Sequence, residues 1–182
     1  ALGLPLDKVI ILHTGSLHKG HDALLFETIL KNFENILFVQ IGGKDNDIKK
    51  YKEYYKKYNN IIFYSHQSST KLIKYQMSAD LLFYALTKTN RLWWCTSPLK
   101  VFEYMATGIP ILASNIGSVS EILSYRNSIV YNPEKPDSII EGVEFFLYNK
   151  SDVHQKALNA LNDVEKKFTW DKRVKNILKF IS

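Results

Sequence analysis

Six short apolar runs, spaced by longer stretches with helical periodicity, constrain this chain more than any other feature of its sequence. The runs are Val9–Thr14, Ile36–Ile41, Ile61–Tyr64, Asp80–Tyr84, Pro110–Ala113 and Ser128–Tyr131. Each is a continuous block rather than an apolar–polar alternation, which is the pattern of strands buried on both faces of a parallel sheet. Helical patterns fill the intervals, over Asp22–Phe33, Asp45–Tyr58, Ser69–Ser78, Pro98–Ala106, Ser118–Ser124 and Pro136–Tyr148. Leu25, Ile29 and Phe33 share one face of the first; Ile139, Ile140, Val143 and Leu147 share one face of the last. Parallel strands need crossover helices, and such crossovers are right-handed. The rhythm therefore predicts an α/β fold with a doubly wound, mostly parallel Rossmann-like sheet of about six strands. Two extra helices close the chain. One carries Val153, Ala157, Leu161, Val164 and Phe168 on a stripe; the other begins near Trp170 and carries Val174, Ile177, Leu178 and Ile181. No repeat, low-complexity tract or linker interrupts the pattern, so residues 1–182 read as a single domain.

Composition narrows the function classes. Hydrophobic residues at 46% and aromatics at 13% suffice for a globular core. The longest uncharged apolar run, Leu81 to Leu86, is too short to span a bilayer, and the opening Ala-Leu-Gly-Leu-Pro lacks the basic region of a signal peptide. A single cysteine, Cys95, permits no internal disulfide and suits a reducing compartment, so a cytoplasmic location is expected. The net charge of +6 calls for an anionic partner. Much of the excess lies at Lys49, Lys50, Lys52, Lys56 and Lys57, which flank Ile48, Tyr51, Tyr55 and Tyr58 at helical spacing. The ordinary reading is a solvated helix face; the sharper one is peripheral contact with an anionic membrane on its inner face. Nucleic acid is not expected as a partner, because no strand motif interleaves aromatic and basic residues.

Doubly wound sheets bind ligands beyond the carboxyl ends of their strands. The loop after the first strand reads Thr14-Gly15-Ser16-Leu17-His18-Lys19-Gly20-His21, and it leads into a helix. Its glycines allow close backbone approach, Lys19 supplies charge for a diphosphate, and a helix N-terminus favours anions. It is neither a Gly-x-Gly-x-x-Gly fingerprint nor a Walker loop. His18 and His21 lack a Cys or carboxylate cluster, so no metal site is expected. A second helix N-terminus opens after the fourth strand. Ser97 is a good N-cap, Pro98 a favoured first residue, and Gly108 a stop. A diphosphate there would meet free amides and Lys100, while the acidic Glu103 within the helix could accept bonds from two ribose hydroxyls. Ser118-Val119-Ser120-Glu121 reads as a capping box, which would give Glu121 a structural role.

The segment Ser-Pro-Leu-Lys-Val-Phe-Glu-Tyr-Met-Ala-Thr-Gly-Ile-Pro-Ile-Leu-Ala-Ser at 97–114 closely resembles the signature of the family-4 retaining glycosyltransferases, also called glycosyl transferase group 1. Supporting features follow in order: the Gly-x-x-x-Lys-Gly turn at 15–20, Gly42-Gly43, Ala79-Asp80, Ile116-Gly117-x-x-x-Glu121 and Phe168-Thr169-Trp170. The resemblance implies a GT-B enzyme, in which two Rossmann-like domains face each other across a cleft. This chain then corresponds to the C-terminal, donor-binding domain, and the N-terminal acceptor domain is absent from it. Glu103 matches the second glutamate of the family's Glu-x7-Glu motif, which grips the ribose. Lys19 matches the residue that neutralises the diphosphate. Pro98 and Leu99 fall where backbone amides meet the distal phosphate and sugar, and His66 lies in the loop that cradles the base. Gly15, Ser16 and Ser97 complete the implied donor site.

Two positions depart from the family pattern. Cys95 stands where the first motif glutamate would be, eight residues before Glu103, and a thiol is a poor hydrogen-bonding substitute. Ser16 stands where many relatives have arginine; Lys100 or Arg91 would have to replace that charge, and Lys100, in the first turn of the phosphate-facing helix, is the expected one. The implied activity is retaining transfer of a hexose from a nucleoside-diphosphate sugar to a saccharide or lipid-linked acceptor, in surface polysaccharide or glycolipid synthesis. Lys19 and Lys100 would stabilise charge on the leaving diphosphate, with no metal and no other cofactor. The domain alone is expected to be essentially inactive. The alternatives are a GT-B-fold sugar-nucleotide epimerase and a non-catalytic nucleotide-sugar or anionic-surface binding module.

Overall fold

A computed structural model describes residues 2–16, 25–96 and 99–181. The described chain alternates strand and helix through its first six strands: β1 (Val9–Thr14), α1 (Phe26–Asn32), β2 (Ile36–Ile41), α2 (Asp45–Tyr54), β3 (Ile61–Tyr64), α3 (Ser69–Met77), β4 (Leu81–Tyr84), α4 (Leu99–Thr107), β5 (Ile111–Ser114), α5 (Val119–Ile122) and β6 (Ile129–Tyr131). Three helices follow, α6 (Asp137–Tyr148), α7 (Lys150–Lys167) and α8 (Trp170–Ile181). The strands form one sheet in the order β3-β2-β1-β4-β5-β6, with every neighbouring pair parallel. This is the doubly wound α/β arrangement that the apolar runs predict.

The two faces of the sheet bury separate cores. Ile11, Phe38 and Phe83 point to one face, where Phe26 of α1, Ile48 of α2 and Ile139 of α6 cover them. Leu12, Val39 and Leu82 point to the other, under Tyr75 of α3, Val101 and Tyr104 of α4, Val119 of α5 and Ala160 of α7. Strand β2 is buried at every position, which is why its run shows no polar alternation on the outside. The strand order reverses between β1 and β4. A crevice therefore opens beyond their carboxyl ends, where the outgoing loops diverge to opposite sides.

Two local features differ from the sequence reading. The helical pattern over Asp45–Tyr58 ends as α-helix at Tyr54, and the chain then tightens, with Tyr58 N–H donating to Tyr55 O at 2.9 Å. That turn lets Tyr55 enter the core and brings Lys57 and Tyr58 onto Glu27 of α1. The capping box at Ser118 does not form: Ser118 has helical φ and ψ and makes no side-chain cap, and its hydroxyl donates to Thr96 O instead. Residues 22–24 of the first helical pattern lie outside the described residues. The tyrosine face of the α2 stretch packs on the core, with Ile48 and Tyr55 buried and Tyr51 and Tyr58 partly so. Lys49, Lys50, Lys52, Lys56 and Lys57 remain on a wetted face.

Candidate functional site

The carboxyl end of β1 is clamped by α4. Thr14 N–H donates to the Tyr104 hydroxyl at 2.8 Å, and the Thr14 hydroxyl lies 3.0 Å from the same oxygen. Lys100 Nζ donates to Thr14 O at 2.5 Å. Residues four apart stack on one helix face, so Lys100 and Tyr104 reach the same strand end together. Past this point the backbone steps across the sheet. Gly15 N–H donates to Ile41 O at 2.8 Å, and Gly42 N–H to Tyr64 O at 3.0 Å. Both glycines have positive φ, at 126° and 101°. A Cβ on Gly15 would sit 2.6 Å from Lys100 Nζ, and one on Gly42 would sit 3.0 Å from Gly15 O. The two turns touch, and only glycine permits that approach.

The turns and the start of α4 enclose a cavity of about 270 Å³. Gly15, Ser16, His66, Lys100 and Glu103 line it, so five of the residues singled out in the sequence converge on one space. Lys100 is partly buried, and burial pulls its ammonium down to about 8, with the Glu103 carboxylate acting in the opposite direction. The Tyr84 ring lies 5.4 Å from its Nζ. Glu103 is exposed and has no hydrogen-bond partner among the described residues, which leaves its carboxylate available to a ligand. Arg91 is exposed and does not line the cavity, so of the two it is Lys100 that stands beside the Gly15 turn. The Leu99 side chain is 63% exposed and faces a different groove, against Phe102 and Phe168. Lys19, Ser97 and Pro98 lie outside the described residues.

Sequence reasoning named Gly43 only as a feature of the resemblance, and missed Gln67 and Gln40. Gly43 and Gln67 line the cavity. Gln40 is fully buried beneath it, with its amide nitrogen 2.9 Å from Gly15 O and 3.1 Å from Gly42 O. The available signal was a lone polar residue inside the apolar run Ile36–Ile41. The loop 85–96 is held from below by Gly117, whose φ is +57° and where a Cβ would meet Trp93 O at 2.0 Å. Trp93 packs partly against the core, whereas Trp94 is 62% exposed and Cys95 is exposed. Among the described residues no group of three or more His, Cys, Asp or Glu side chains is placed to hold a metal ion.

Among the described residues, the arrangement is an anion-compatible floor of glycine turns beside Lys100, with the exposed Glu103 carboxylate a helical turn away. Among solved structures, HepE of Anabaena, in complex with UDP-glucose, superposes with a TM-score of 0.82 at 12% identity, covering 96% of this chain and 49% of that one. A glycosyltransferase of Rickettsia africae superposes at 0.78 with 16% identity, covering 97% and 48%. The sucrose-phosphate synthase of Thermosynechococcus elongatus superposes at 0.75 with 18% identity, covering 100% and 48%. At such identities the likeness is one of fold: this chain has the architecture of one half of a GT-B glycosyltransferase, and it spans about half the length of those proteins. An uncharacterized glycosyltransferase of Methanocaldococcus jannaschii is 37% identical over 70 residues, 38% of this chain and 18% of that protein. The family model of glycosyl transferases group 1 matches residues 1–163, and with the fold and the cavity in agreement the chain belongs to that family.

Proposed function

We propose that this chain is the donor half of a retaining hexosyltransferase and binds a nucleoside-diphosphate sugar in the cavity at the ends of β1 and β4. The observation that carries the reading is the convergence of the Gly15 turn, Lys100 and Glu103 on one space at the switch point of the sheet. Lys100 would meet the diphosphate, Glu103 the ribose hydroxyls, and His66 the base; Lys19, Ser97, Pro98 and the Leu99 amide would complete the donor site. The UDP-glucose complex of the Anabaena neighbour supports a uridine nucleotide. Negative charge develops on the leaving diphosphate during transfer, and fixed lysines in a partly buried site stabilise it without a metal. Groups acting on the acceptor would belong to a facing N-terminal domain, so the 182-residue chain alone binds nucleotide but transfers essentially no sugar.

The acceptor class we propose is a saccharide or a lipid-linked saccharide of a surface polysaccharide or glycolipid, met on the cytoplasmic side of a membrane. With Tyr51, Tyr55 and Tyr58 turned inward, the membrane contact proposed there is electrostatic, through Lys49, Lys50, Lys52 and Lys56. Vesicle flotation should then require anionic lipid and fail at high salt. No helix among the described residues is long and apolar enough to cross a membrane. A thermal-shift panel of nucleoside diphosphates, their sugars and the parent nucleosides tests the donor reading. A ligand that binds only the native state raises the melting temperature in proportion to the logarithm of its concentration over Kd. A rise with UDP and UDP-hexose is expected; no rise with any nucleotide would sink the proposal.

A further inference from the structure

Gln40 is a polar residue with no exposed surface, set in a strand whose other positions are apolar, and its amide is committed on both sides. Its Nε2 lies within hydrogen-bonding distance of Gly15 O and Gly42 O, and its Oε1 lies 2.5 Å from His13 Nδ1. Carbonyl oxygens only accept, so both amide hydrogens go to the two glycine carbonyls. The amide oxygen is left for His13, whose Nδ1 must then carry a hydrogen. His13 is the register partner of Gln40 across β1 and β2, and its ring is held between Phe26 and Phe83. The tie therefore sits on the α1 face of the sheet, while the cavity is lined from the opposite face by α4.

This fixes where two other groups point. In a trans peptide the C=O and the following N–H are antiparallel, and no cis bond occurs among the described residues. A Gly15 carbonyl drawn down onto Gln40 turns the Ser16 N–H away from Gln40. A Gly42 carbonyl held the same way turns the Gly43 N–H away too. Ser16 and Gly43 both line the cavity. One buried amide thus removes two carbonyl dipoles from the floor of an anion site and presents two backbone donors in their place. Successive amides arranged this way form an anion-binding concavity.

We infer that Gln40, oriented by His13, is a positioning residue that aims the Ser16 and Gly43 amides at the diphosphate of the donor. The inference rests on the nucleotide-binding reading proposed above, and it concerns phosphate recognition alone, not recognition of the nucleoside. The discriminating quantity is the phosphate increment, the ratio of Kd for a nucleoside to Kd for its diphosphate, measured by calorimetry with uridine and UDP and with guanosine and GDP. In Gln40→Met and His13→Leu the increment should fall roughly tenfold, about the worth of one charge-assisted hydrogen bond, with nucleoside affinity unchanged. His13→Asn, whose amide can still donate to Gln40, should restore it. A purely structural role would lower the melting temperature and leave the increment intact; that result in folded variants would overturn the inference while leaving the nucleotide reading standing. A wild-type chain that binds no diphosphate more tightly than its nucleoside would overturn both. A measurement without any variant reads the same point: the Ser16 and Gly43 amide resonances of the wild-type chain should shift downfield with UDP and not with uridine. Unmoved amides would overturn the inference even where the variants fail to fold.

Discussion

At Lys100 an ammonium group donates to the Thr14 carbonyl, borders the Gly15 turn and is drawn down to about 8 by burial. Its charge is then the part of the site most sensitive to pH. The folded value lies below the ordinary 10.5, so the residue's contribution to stability is full above 10.5 and is lost as pH falls through about 8, where the folded chain must hold the charge. Binding has the opposite sign, because a diphosphate needs the charged form. Affinity for UDP should hold at pH 7 and weaken from about pH 7.5 to 8.5, below the range in which the uracil ring itself ionises, with uridine affinity flat; Lys100→Arg should abolish that dependence, since guanidinium does not titrate there. Lys100→Ala should weaken UDP binding at pH 7 by about tenfold or more in calorimetry, and an unchanged Kd would remove Lys100 from the site. Tyr104 acts one turn further along α4. Tyr104→Phe leaves the buried Thr14 N–H without its acceptor and should cost about 1–3 kcal/mol in urea unfolding. A change under 0.5 kcal/mol would mean that the strand end finds another partner.

Among the elements, α1 and the chain that follows α2 are joined by a cluster around Glu27. Its carboxylate accepts from Lys57 at 2.9 Å, Tyr58 at 2.8 Å and Tyr54 at 2.9 Å, and Lys31 lies 3.3 Å away. The hydrogen bonds from Lys57 and Tyr58 hold it down to about 2, below its ordinary 4.5. A carboxylate lowered in the folded state stabilises above its unfolded value and loses that contribution as pH falls through the folded one. The wild-type chain should therefore lose more stability between pH 5 and pH 2 than Glu27→Gln, with a difference of about 1 kcal/mol after allowance for solvent around the pair. Parallel acid-unfolding curves for the two would contradict this. The cluster also shows what was legible in the sequence and what was not. Continuous runs such as Ile36–Ile41 announced buried parallel strands because both their faces are covered. The end of α2 was hidden, since the helical period continues through Tyr58 and only a partner on α1 decides where the helix gives way. In the site, Gly15, Lys100 and Glu103 stood out because turn chemistry and helix starts are local. Gln40 did not, because its role depends on the Gly15 carbonyl and His13, which strand pairing brings to it from another part of the chain.

Over the whole molecule, one surface is out of keeping with the rest. Helix α8 buries none of its residues, yet Trp170, Val174, Ile177, Leu178 and Ile181 form an apolar stripe along it. Between it and α4 lies a groove of about 510 Å³ where a packed seam would ordinarily be found, lined by Leu99, Phe102 and Phe168. The two cores of the sheet are complete without it: α7 already covers its face through Ala160, and the Phe102–Phe168 ring contact at 5.2 Å precedes α8 in the chain. A helix with no buried side chain offers little stability to remove. A chain ending at Thr169 should therefore unfold in urea within about 0.5 kcal/mol of the full chain, the range of a surface change. It should also bind UDP with the same Kd, because no α8 residue lines the cavity. Its solution behaviour should differ, since an uncovered apolar stripe promotes association. The full chain should self-associate with rising concentration in sedimentation, and the shortened chain should remain monomeric. A large loss of stability on truncation would show instead that α8 is seated against the domain and that the groove is closed in solution.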